Sequence, residues 1–568
     1  YSSLLEILDD ARARYGDRTL LGMRTEGGLE HQWSAPVLAR RARAAAWRLR
    51  RLGLGSGDRM LTWSPPTPEL PALYFGAMLA GVVVVPLDLR MTPEVVTRIA
   101  ERAATQWLVV GTGPDAPDPG AAGLGYLLQR GLGPLTAEPP DATGSDEDPS
   151  FPADWEDQLA TWPRPGKDDL FEIVYTSGTT GQPRGVMVTH GNILSTMEAT
   201  NHIIPPWQHR AVSMLPLSHL FGQLELFYAL MIGGDVLYIR SRNPRVIFEA
   251  IREHRMTTMV VVPQVLDLFW SAISREVAKQ GKERTVERLR TLARRLPYRL
   301  RRLIFRRIHA QLGGQMRLFI SAAAFLPPSL QEAWEDLGIV VMQGYGATEC
   351  GFASATSFEE HRRGTVGKPK PPTTLKLAPD GEILVGGPQV FGGYWRDPDA
   401  TAASLDADGW YHTGDIGRFD DRDNLVLGGR KKNIIVLPNG LNVFPEDIEN
   451  ELRVAGLRGS VVLETAPGRI EAIVLSPDAP PLPTPGAPAA EPLTPDGQRA
   501  LEARIDDIVK HANAVLGMHQ RIVAWRMWPE PDFPRTHTLK IKRAEVRAWV
   551  DGESPLAVPD DDPVATPA

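Results

Sequence analysis

The sequence predicts an α/β protein with largely parallel sheets, because segments with helical spacing alternate with short β-branched runs. Residues 2–15 and 36–53 place apolar side chains at helical spacing, with Arg and Glu on the other face. Residues 80–86 (AGVVVVP) and 106–111 (QWLVVG) are apolar runs bounded by Gly or Pro, as in buried strands. A chain of 568 residues is too long for one hydrophobic core, so two or more domains are expected.

Composition narrows the class of protein. Hydrophobic residues make up 43% and charged residues 23% of the chain, as in ordinary globular proteins. The net charge of -7 gives no sign of the basic surface that binds nucleic acid, so no nucleic-acid partner is expected. The single cysteine, Cys350, excludes an internal disulfide framework and indicates a reducing compartment; we interpret it as structural. Polar residues interrupt the longest apolar stretch, 211–239, so we predict a cytoplasmic protein without a membrane span.

Three segments have compositions that predict irregular structure. Residues 112–168 are rich in Pro, Gly and Asp with little periodicity, which predicts loop or surface excursion. Residues 477–498 are rich in Pro and Ala, which predicts a flexible insertion. The acidic, Pro-rich tail over 553–568 is expected to be disordered.

Residues 282–307 form a basic segment with eleven Lys or Arg against two Glu. Its apolar residues keep helical spacing around Pro297. A basic amphipathic helix suits an anionic membrane surface, which would be a peripheral contact. A solvated helix face packed on its own domain is the alternative, and we favour it.

Residues 175–185 (YTSGTTGQPRG) are the most informative local pattern. They follow the apolar run 170–174, which predicts a strand. Glycines let backbone N–H groups turn toward an anion, and hydroxyls add donors or a metal contact. The composition therefore indicates a phosphate-binding loop, although the spacing of the common P-loop is absent. On composition alone, a Gly/Ser/Thr-rich surface turn is an equal alternative.

Further motifs follow this loop along the chain. They are LPLSHLFG (215–222), QGYGATE (343–349), GEILV (381–385) with GYW (393–395), GWYHTGDIG (409–417), GRKKNII (429–435) and PRTHTLKIKR (534–543). With the loop, and in this order, they resemble the motifs of the adenylate-forming enzymes. That superfamily includes acyl-CoA synthetases, peptide-synthetase adenylation domains and beetle luciferases. The resemblance spans nearly the whole chain.

The resemblance implies two domains of unequal size. A large multi-subdomain N-terminal domain with mixed and parallel sheets is expected over residues 1–430, holding the ATP and acyl sites. A small mobile α+β domain is expected over residues 431–552 as a lid. Lys432 falls at the hinge of the family, about which the small domain swings for the second half-reaction.

The resemblance also implies an ATP site. The loop cradles the β- and γ-phosphates, and Arg184 stands where family members usually carry Lys, which keeps the charge and changes the geometry. Tyr345 stacks on adenine, while Asp415 accepts from the ribose hydroxyls beside Arg430. The residues expected to bind ATP are Thr176, Ser177, Gly178, Thr179, Thr180, Gly181, Arg184, Gly344, Tyr345, Gly346, Thr348, Asp415, Arg430 and Lys540.

Four residues are expected to serve catalysis by the same resemblance. Glu349 ligates Mg²⁺, for which a carboxylate is the right hard ligand, and Thr176 is a second candidate metal contact. Thr348 contacts the α-phosphate, and His219 guards the carboxylate site. Lys540 offsets the negative charge that repels the two reactants.

The tail motif departs from the family. It reads Thr538-Leu539-Lys540 where Ser-Gly-Lys is usual, and Lys542 and Arg543 are also cations. The register of the catalytic lysine is therefore open.

The implied function is activation of a fatty acid by ATP to acyl-AMP with release of pyrophosphate, then transfer to CoA. Mg²⁺ is the implied cofactor, and ATP and CoA are substrates. Residues 437–449 look most like long-chain fatty acyl-CoA synthetases, and no charged motif residue indicates an amino-acid substrate. One alternative is a fatty acyl-AMP ligase that loads an acyl carrier protein. The other is a non-catalytic lipid-binding relative, against which the retained Glu349, Asp415, Arg430 and Lys540 argue.

Overall fold

Two compact units make up the chain. The computed structural model describes residues 1–25, 28–113, 115–139, 151–177, 183–241, 244–438, 441–477, 494–535 and 541–552. The large unit consists of Tyr1–Thr413 and Arg418–Val426, and the small unit consists of Gly414–Gly417 and Leu427–Ala568. The expected limits of 1–430 and 431–552, and the mobility of the smaller part, stay predictions.

The first sheet of the large unit has six strands and carries the predicted phosphate loop. Its strands are β3 (Arg59–Trp63), β4 (Val83–Leu87), β5 (Trp107–Val110), β6 (Leu128–Gly131), β7 (Leu170–Ser177) and β8 (Pro183–Thr189). They lie in the order β6-β5-β3-β4-β7-β8. The pairs are parallel except β7 with β8, which is antiparallel.

The second sheet has eight strands, with a parallel centre and antiparallel edges. Its strands are β1 (Thr19–Thr25), β2 (Gly28–Ser34), β9 (Arg210–Ser213), β10 (Asp235–Ile239), β11 (Thr258–Val261), β12 (Leu318–Ser321), β13 (Val340–Ala347) and β14 (Gly351–Ala355). They lie in the order β14-β13-β12-β11-β9-β10-β1-β2. The edge hairpins β1–β2 and β13–β14 are antiparallel.

A third sheet has four strands in the order β15-β16-β17-β18. They are β15 (Thr374–Leu377), β16 (Glu382–Gly386), β17 (Tyr411–Phe419) and β18 (Leu425–Arg430). The chain passes between the two units within β17 and β18.

Helices connect these strands. In the large unit they are α1 (Leu5–Tyr15), α2 (Ala35–Arg51), α3 (Glu69–Ala80), α4 (Pro93–Ala103), α5 (Leu132–Thr136), α6 (Trp155–Ala160), α7 (His190–Asn201), α8 (Leu220–Ile232), α9 (Pro244–Glu253), α10 (Pro263–Lys279), α11 (Glu283–Ala293), α12 (Tyr298–Ile304), α13 (Arg306–Gln311), α14 (Pro328–Asp336) and α15 (Pro398–Ser404). None of the helices within the described ranges combines the length and apolar character that a membrane crossing needs.

The small unit combines helices with short strands. Its elements after β18 are β19 (Ile435–Val436), β20 (Asn442–Val443), α16 (Pro445–Val454), β21 (Ser460–Ala466), β22 (Arg469–Val474), α17 (Pro495–Val515), β23 (Ala524–Met527) and α18 (Arg543–Val550). Strands β21, β22 and β23 form one sheet, in which β21–β22 is antiparallel and β22–β23 is parallel. The helix α17 begins inside the predicted insertion 477–498, of which residues 478–493 lie outside the described residues, as does the tail 553–568.

An aromatic cluster joins the two large sheets. Phe171 of β7 and Phe75 of α3 contact Phe227 of α8, at ring-centroid distances of 5.9 and 5.7 Å. All three side chains are fully buried. Burying one such side chain stabilises the fold by about 1.5–3 kcal/mol. The cluster fixes α8, whose N-cap is the predicted gate residue His219, against the strand that leads into the predicted phosphate loop.

The prediction that residues 112–168 are loop is wrong for three elements. Strand β6 extends the parallel sheet beside β5, and α5 buries Leu132 and Leu135. In α6, Trp155 contacts Trp47 edge-to-face at 6.1 Å. Each element is too short to show periodicity, and each is held by contacts with distant parts of the chain.

The basic segment 282–307 packs partly on its own unit, as favoured. Arg290 and Arg294 pair with the buried Asp336 at 3.0 and 3.1 Å. Arg301 and Arg302 donate to backbone carbonyls. Leucines of α11 and α12 nevertheless lie exposed on this surface, namely Leu292, Leu300 and Leu303.

Candidate active site

The described residues on either side of the predicted phosphate loop form an antiparallel stem. Thr176 of β7 lies opposite Arg184 of β8. Directly paired residues on one face are close neighbours, so the stem brings a hydroxyl and a guanidinium to the mouth of the loop. A Cβ on the next residue, Gly185, would lie 2.7 Å from Cγ2 of Ile173, so only glycine fits there. Ser177 ends β7, and Gly178, Thr179, Thr180 and Gly181 lie outside the described residues.

Strand β8 follows the loop and is held at its start by α4 and at its end by α7. Arg102 donates from Nη1 to the carbonyl of Pro183 at 2.8 Å. The helix α7 begins with a capping box, in which the Thr189 hydroxyl accepts from the N–H of Asn192 and the Asn192 side chain accepts from the N–H of Thr189. Strand β8, which carries Arg184, is therefore anchored at both of its ends.

Glu349 lies in the tight turn between β13 and β14. Gly344, Tyr345 and Gly346 pair with β14, and a Cβ on Gly346 would overlap the carbonyl oxygen of Gly351. The glycine thus permits the close approach that brings the turn to the end of the sheet. Thr348 lines a small crevice of this turn together with Thr196, Leu220 and Phe391. Cys350, next to Glu349, is fully buried, in agreement with a structural role.

Tyr394 contacts Glu349 and was not found by sequence reasoning. Its hydroxyl donates to Oε1 of Glu349 at 3.1 Å. The guanidinium carbon of Arg184 lies 5.6 Å from the centroid of the Tyr394 ring, which is cation–π range. The GYW motif indicates the family but not this contact, because two residues that lie 45 positions apart leave no local pattern.

His219 is held by a second residue that the sequence did not reveal, Asp88. Nε2 of His219 lies 2.7 Å from Oδ2 of Asp88. Arg90 donates to Asp88 from its backbone N–H, Nε and Nη2 at 2.8–2.9 Å. Burial would raise the pKa of Asp88, but the hydrogen bonds and charges of Arg90 and His219 outweigh it and hold that pKa well below its usual range. A buried anion therefore orients the predicted gate histidine. The one available signal was an Asp directly after a buried strand.

Two further carboxyls lie at or near α8, of which Glu172 is fully buried and Glu225 is partly buried. Oε2 of Glu172 accepts from Nε2 of Gln223 at 2.8 Å, and its Oε1 has no partner among the described residues. Burial raises the pKa of Glu172 to about 8. Glu225 accepts from the hydroxyl of Ser213, and burial likewise raises its pKa to about 8. Both carboxyls are therefore neutral near pH 7.

The predicted ribose residues lie together in the small unit. Nε of Arg430 lies 2.8 Å from Oδ1 of Asp415, with the Arg430 side chain partly exposed. Lys432 lies two residues on, in a short 3₁₀ turn. Desolvation and the charges of Arg430 and Arg543 lower the pKa of Lys432.

The described part of the tail motif shows structural partners for two of its cations. Nζ of Lys542 pairs with Glu545 at 2.7 Å. Arg543 donates from Nη2 to both oxygens of the buried Glu449. Lys540 lies outside the described residues, so its role stays a prediction.

The donor set suits a metal ion that arrives with the nucleotide. Within the described residues, no group of three or more His, Cys, Asp and Glu side chains could hold a metal ion. Mg²⁺ bound by nucleotide phosphates typically takes only one or two protein carboxylates. Glu349 fits that role because its Oε2 accepts no hydrogen bond from the described residues, while Oε1 accepts one from Tyr394.

Comparison with known proteins decides the family. A family model described as AMP-binding enzyme matches residues 8–395. The chain belongs to the AMP-binding enzyme family. This AMP-binding enzyme is 30% identical over 550 residues to the long-chain-fatty-acid–CoA ligase FadD15 of Mycobacterium bovis, with 89% of each chain covered. It is 34% identical over 312 residues to the human long-chain-fatty-acid–CoA ligase 1, covering 50% of this chain and 45% of that one. The predicted resemblance is confirmed.

Solved structures confirm the predicted fold class of this AMP-binding enzyme. The o-succinylbenzoate CoA synthetase MenE of Bacillus subtilis, in complex with its acyl-adenylate intermediate, superposes with a TM-score of 0.72 at 19% identity, covering 96% of this chain and 98% of that one. A Mycobacterium tuberculosis fatty acyl CoA synthetase gives a TM-score of 0.64 at 21% identity, covering 97% and 99%. MenE in complex with ATP and magnesium ion gives 0.70 at 19% identity, covering 95% and 99%.

Proposed function

We propose that this enzyme is an acid–thiol ligase that activates a medium- to long-chain fatty acid with ATP and transfers the acyl group to CoA. The observation that carries the proposal is the identity of 30% with a long-chain-fatty-acid–CoA ligase over 89% of both chains. The described site supports it, because Thr176, Arg184 and Glu349 lie on the elements that the motifs predict.

In the first half-reaction, a carboxylate oxygen attacks the α-phosphorus of ATP. The bond between the α-phosphorus and the bridging oxygen breaks, and pyrophosphate leaves. Thr176 and Arg184 hold the phosphates from the mouth of the loop, and Asp415 and Arg430 hold the ribose. Glu349 would hold Mg²⁺, which when bound would supply positive charge to neutralise the phosphate oxygens. Lys540 offsets the repulsion between the two anionic reactants.

In the second half-reaction, the thiolate of CoA attacks the acyl carbon. The bond to the phosphate oxygen of AMP breaks, which gives the thioester and AMP. His219, oriented by Asp88, guards the carboxylate site, and the swing at Lys432 removes Lys540 before this step.

A panel assay tests the substrate and the acceptor. Pyrophosphate release is measured with acetate, octanoate, palmitate and an amino acid, with thioester formation followed after adding CoA or holo-acyl carrier protein. We expect the highest kcat/KM for a fatty acid and thioester only with CoA. Thioester only with carrier protein would favour the acyl-AMP ligase, and binding of acid without pyrophosphate release would favour a non-catalytic relative.

Variants in the tail test the mechanism. Lys540→Ala should slow adenylation by about a hundred- to a thousand-fold, because a preorganised charge contact in the transition state is lost. It should leave conversion of supplied acyl-AMP and CoA nearly intact. Lys542→Ala is the matched control, since Lys542 pairs with Glu545, and should change neither step much. A larger effect at Lys542 would show that the catalytic lysine is in the other register.

A peripheral membrane contact through residues 282–307 is a separate proposal. It is supported by Leu300 and Leu303, whose exposed fractions are 45% and 67%, on helices with exposed arginines. Sedimentation with vesicles that contain anionic lipid tests it. Leu300→Ser with Leu303→Ser should reduce binding, and equal binding to neutral vesicles or by the variant would refute the contact.

A further inference from the structure

The segment 391–395 connects the strand after the phosphate loop with the turn that carries Glu349. On the loop side, Tyr394 forms an antiparallel bridge with Val186 of β8. The N–H of Trp395 donates to the carbonyl of Gly185 at 2.7 Å, and the N–H of Met187 donates to the carbonyl of Gly393 at 3.2 Å. This short segment therefore pairs with the edge strand β8 through one isolated bridge.

The same segment holds Glu349 by main chain and side chain. The N–H of Phe391 donates to the carbonyl of Glu349 at 2.8 Å. The hydroxyl of Tyr394 donates to Oε1 of the same residue at 3.1 Å. A hydrogen bond to an ionised carboxylate is stronger than one between neutral groups, so the phenol restricts the rotation of that carboxylate.

The ring of Tyr394 is itself fixed on several sides. It is 6% exposed and packs edge-to-face on Phe391, with ring centroids 4.9 Å apart. The guanidinium carbon of Arg184 lies 5.6 Å from the centroid of the ring.

We propose that Tyr394 is a positioning residue that fixes Glu349 for Mg²⁺, holding Oε1 so that Oε2 is presented to the metal ion. This inference rests on the proposed function, in which Glu349 is the metal ligand. A residue that orients a metal ligand by hydrogen bonding typically contributes 10- to 100-fold to metal affinity or activity. The bond acts before the nucleotide arrives, because it joins two side chains of the large unit.

Tyr394→Phe tests the proposal, because it removes one hydroxyl and keeps the ring between Phe391 and Arg184. We expect the Mg²⁺ concentration for half-maximal pyrophosphate release to rise about tenfold, with a smaller fall in kcat at saturating Mg²⁺. Electron paramagnetic resonance of Mn²⁺, titrated into enzyme with a non-hydrolysable ATP analogue, should show binding weakened by a similar factor. The second readout does not depend on turnover.

Tyr238→Phe is the matched control. The Tyr238 hydroxyl is buried in β10 and has no partner among the described residues, so its loss should move neither metal titration. If Tyr394→Phe gives the same Mg²⁺ and Mn²⁺ titrations as Tyr238→Phe, the proposal is overturned. A thermal midpoint near that of the wild type shows that either result reports on the site and not on unfolding.

Glu349→Gln separates this inference from the function on which it rests. If Glu349→Gln abolishes Mn²⁺ binding and Tyr394→Phe leaves it unchanged, the inference alone fails. If Glu349→Gln retains wild-type Mn²⁺ binding, the metal assignment within the proposed function fails as well. Weakened binding in both variants supports the two together.

Discussion

Asp88 and Glu172 are two buried carboxyls at one sheet, and burial is followed by opposite shifts of their pKa values. Their exposed fractions are 2% and 0%. Glu172 of β7 pairs with Val84 of β4, and Asp88 is the first residue after the end of β4. Asp88 has a pKa well below its usual range, whereas the pKa of Glu172 is raised to about 8.

The number of donors, and not the depth of burial, separates the two groups. Asp88 receives three hydrogen bonds from Arg90 and lies within hydrogen-bond distance of His219. Glu172 receives one bond, from the neutral amide of Gln223. Burial disfavours the charged form of both groups, and hydrogen bonds together with charged partners reverse that effect at Asp88. Asp88 can therefore orient the predicted gate histidine as an anion, while Glu172 belongs to the core as a neutral acid.

Removing the charge at Asp88 should have the largest effect on stability. Asp88→Asn leaves Arg90 and His219 without their anion, and we expect the free energy of unfolding to fall by about 3 kcal/mol at pH 7. The pKa of Asp88 is lower in the folded state than in the unfolded state. The stability that Asp88 contributes is therefore fully present above the unfolded-state pKa, and it is lost as pH falls through the folded-state pKa. Urea unfolding followed by tryptophan fluorescence at pH 7 and pH 5 measures it. A loss below 0.5 kcal/mol at both values would contradict the comparison.

Glu172→Gln should have a smaller effect that depends on pH. The folded-state pKa is raised from 4.5 to about 8, so the folded chain binds this proton more tightly and stability is lost as pH rises between those values. From pH 5.5 to pH 7.0, one such carboxyl costs about 2 kcal/mol, at about 1.4 kcal/mol per pH unit. The amide variant should lack that loss in urea unfolding.

Glu225→Gln is the companion to that variant, since the pKa of Glu225 is also raised to about 8. The double variant should show the flattest dependence of unfolding on pH. An unchanged slope in Glu172→Gln would mean that Glu172 is ionised at neutral pH, and the contrast with Asp88 would disappear.

Ser213→Ala should have the smallest effect. It removes the one hydrogen bond to Glu225, which we expect to cost about 1 kcal/mol in the free energy of unfolding. Because that bond lowers the pKa of Glu225, the variant should also extend the loss of stability to higher pH. Urea midpoints at pH 7 and pH 9 would show both results, and a gain in stability would contradict them.

The sequence predicted the elements whose signals are local. The β-branched runs became β4 and β5, and the apolar run before the loop became β7. The QGYGATE motif contains Gly346, which permits a close approach to Gly351 that any side chain would block. These features depend on neighbours along the chain, which a pattern can show.

Contacts between distant residues could not be predicted in this way. His219 and Asp88 are 131 residues apart, and Tyr394 and Glu349 are 45 apart. Neither pair has a spacing that indicates contact, because the sheet order that joins them is a property of the whole fold. The short elements in 112–168 were missed for the same reason.

The path of the chain through β17 and β18 has a practical consequence for dissecting the protein. It enters the small unit at Gly414, returns to the large unit at Arg418 and enters the small unit again at Leu427. A fragment that begins at residue 431 would therefore lack Asp415 and its partner Arg430. No single cut can divide this polypeptide into its two compact parts. Separate expression of the small part would need residue 417 linked directly to residue 427, and separate expression of the large part would need residue 413 linked directly to residue 418.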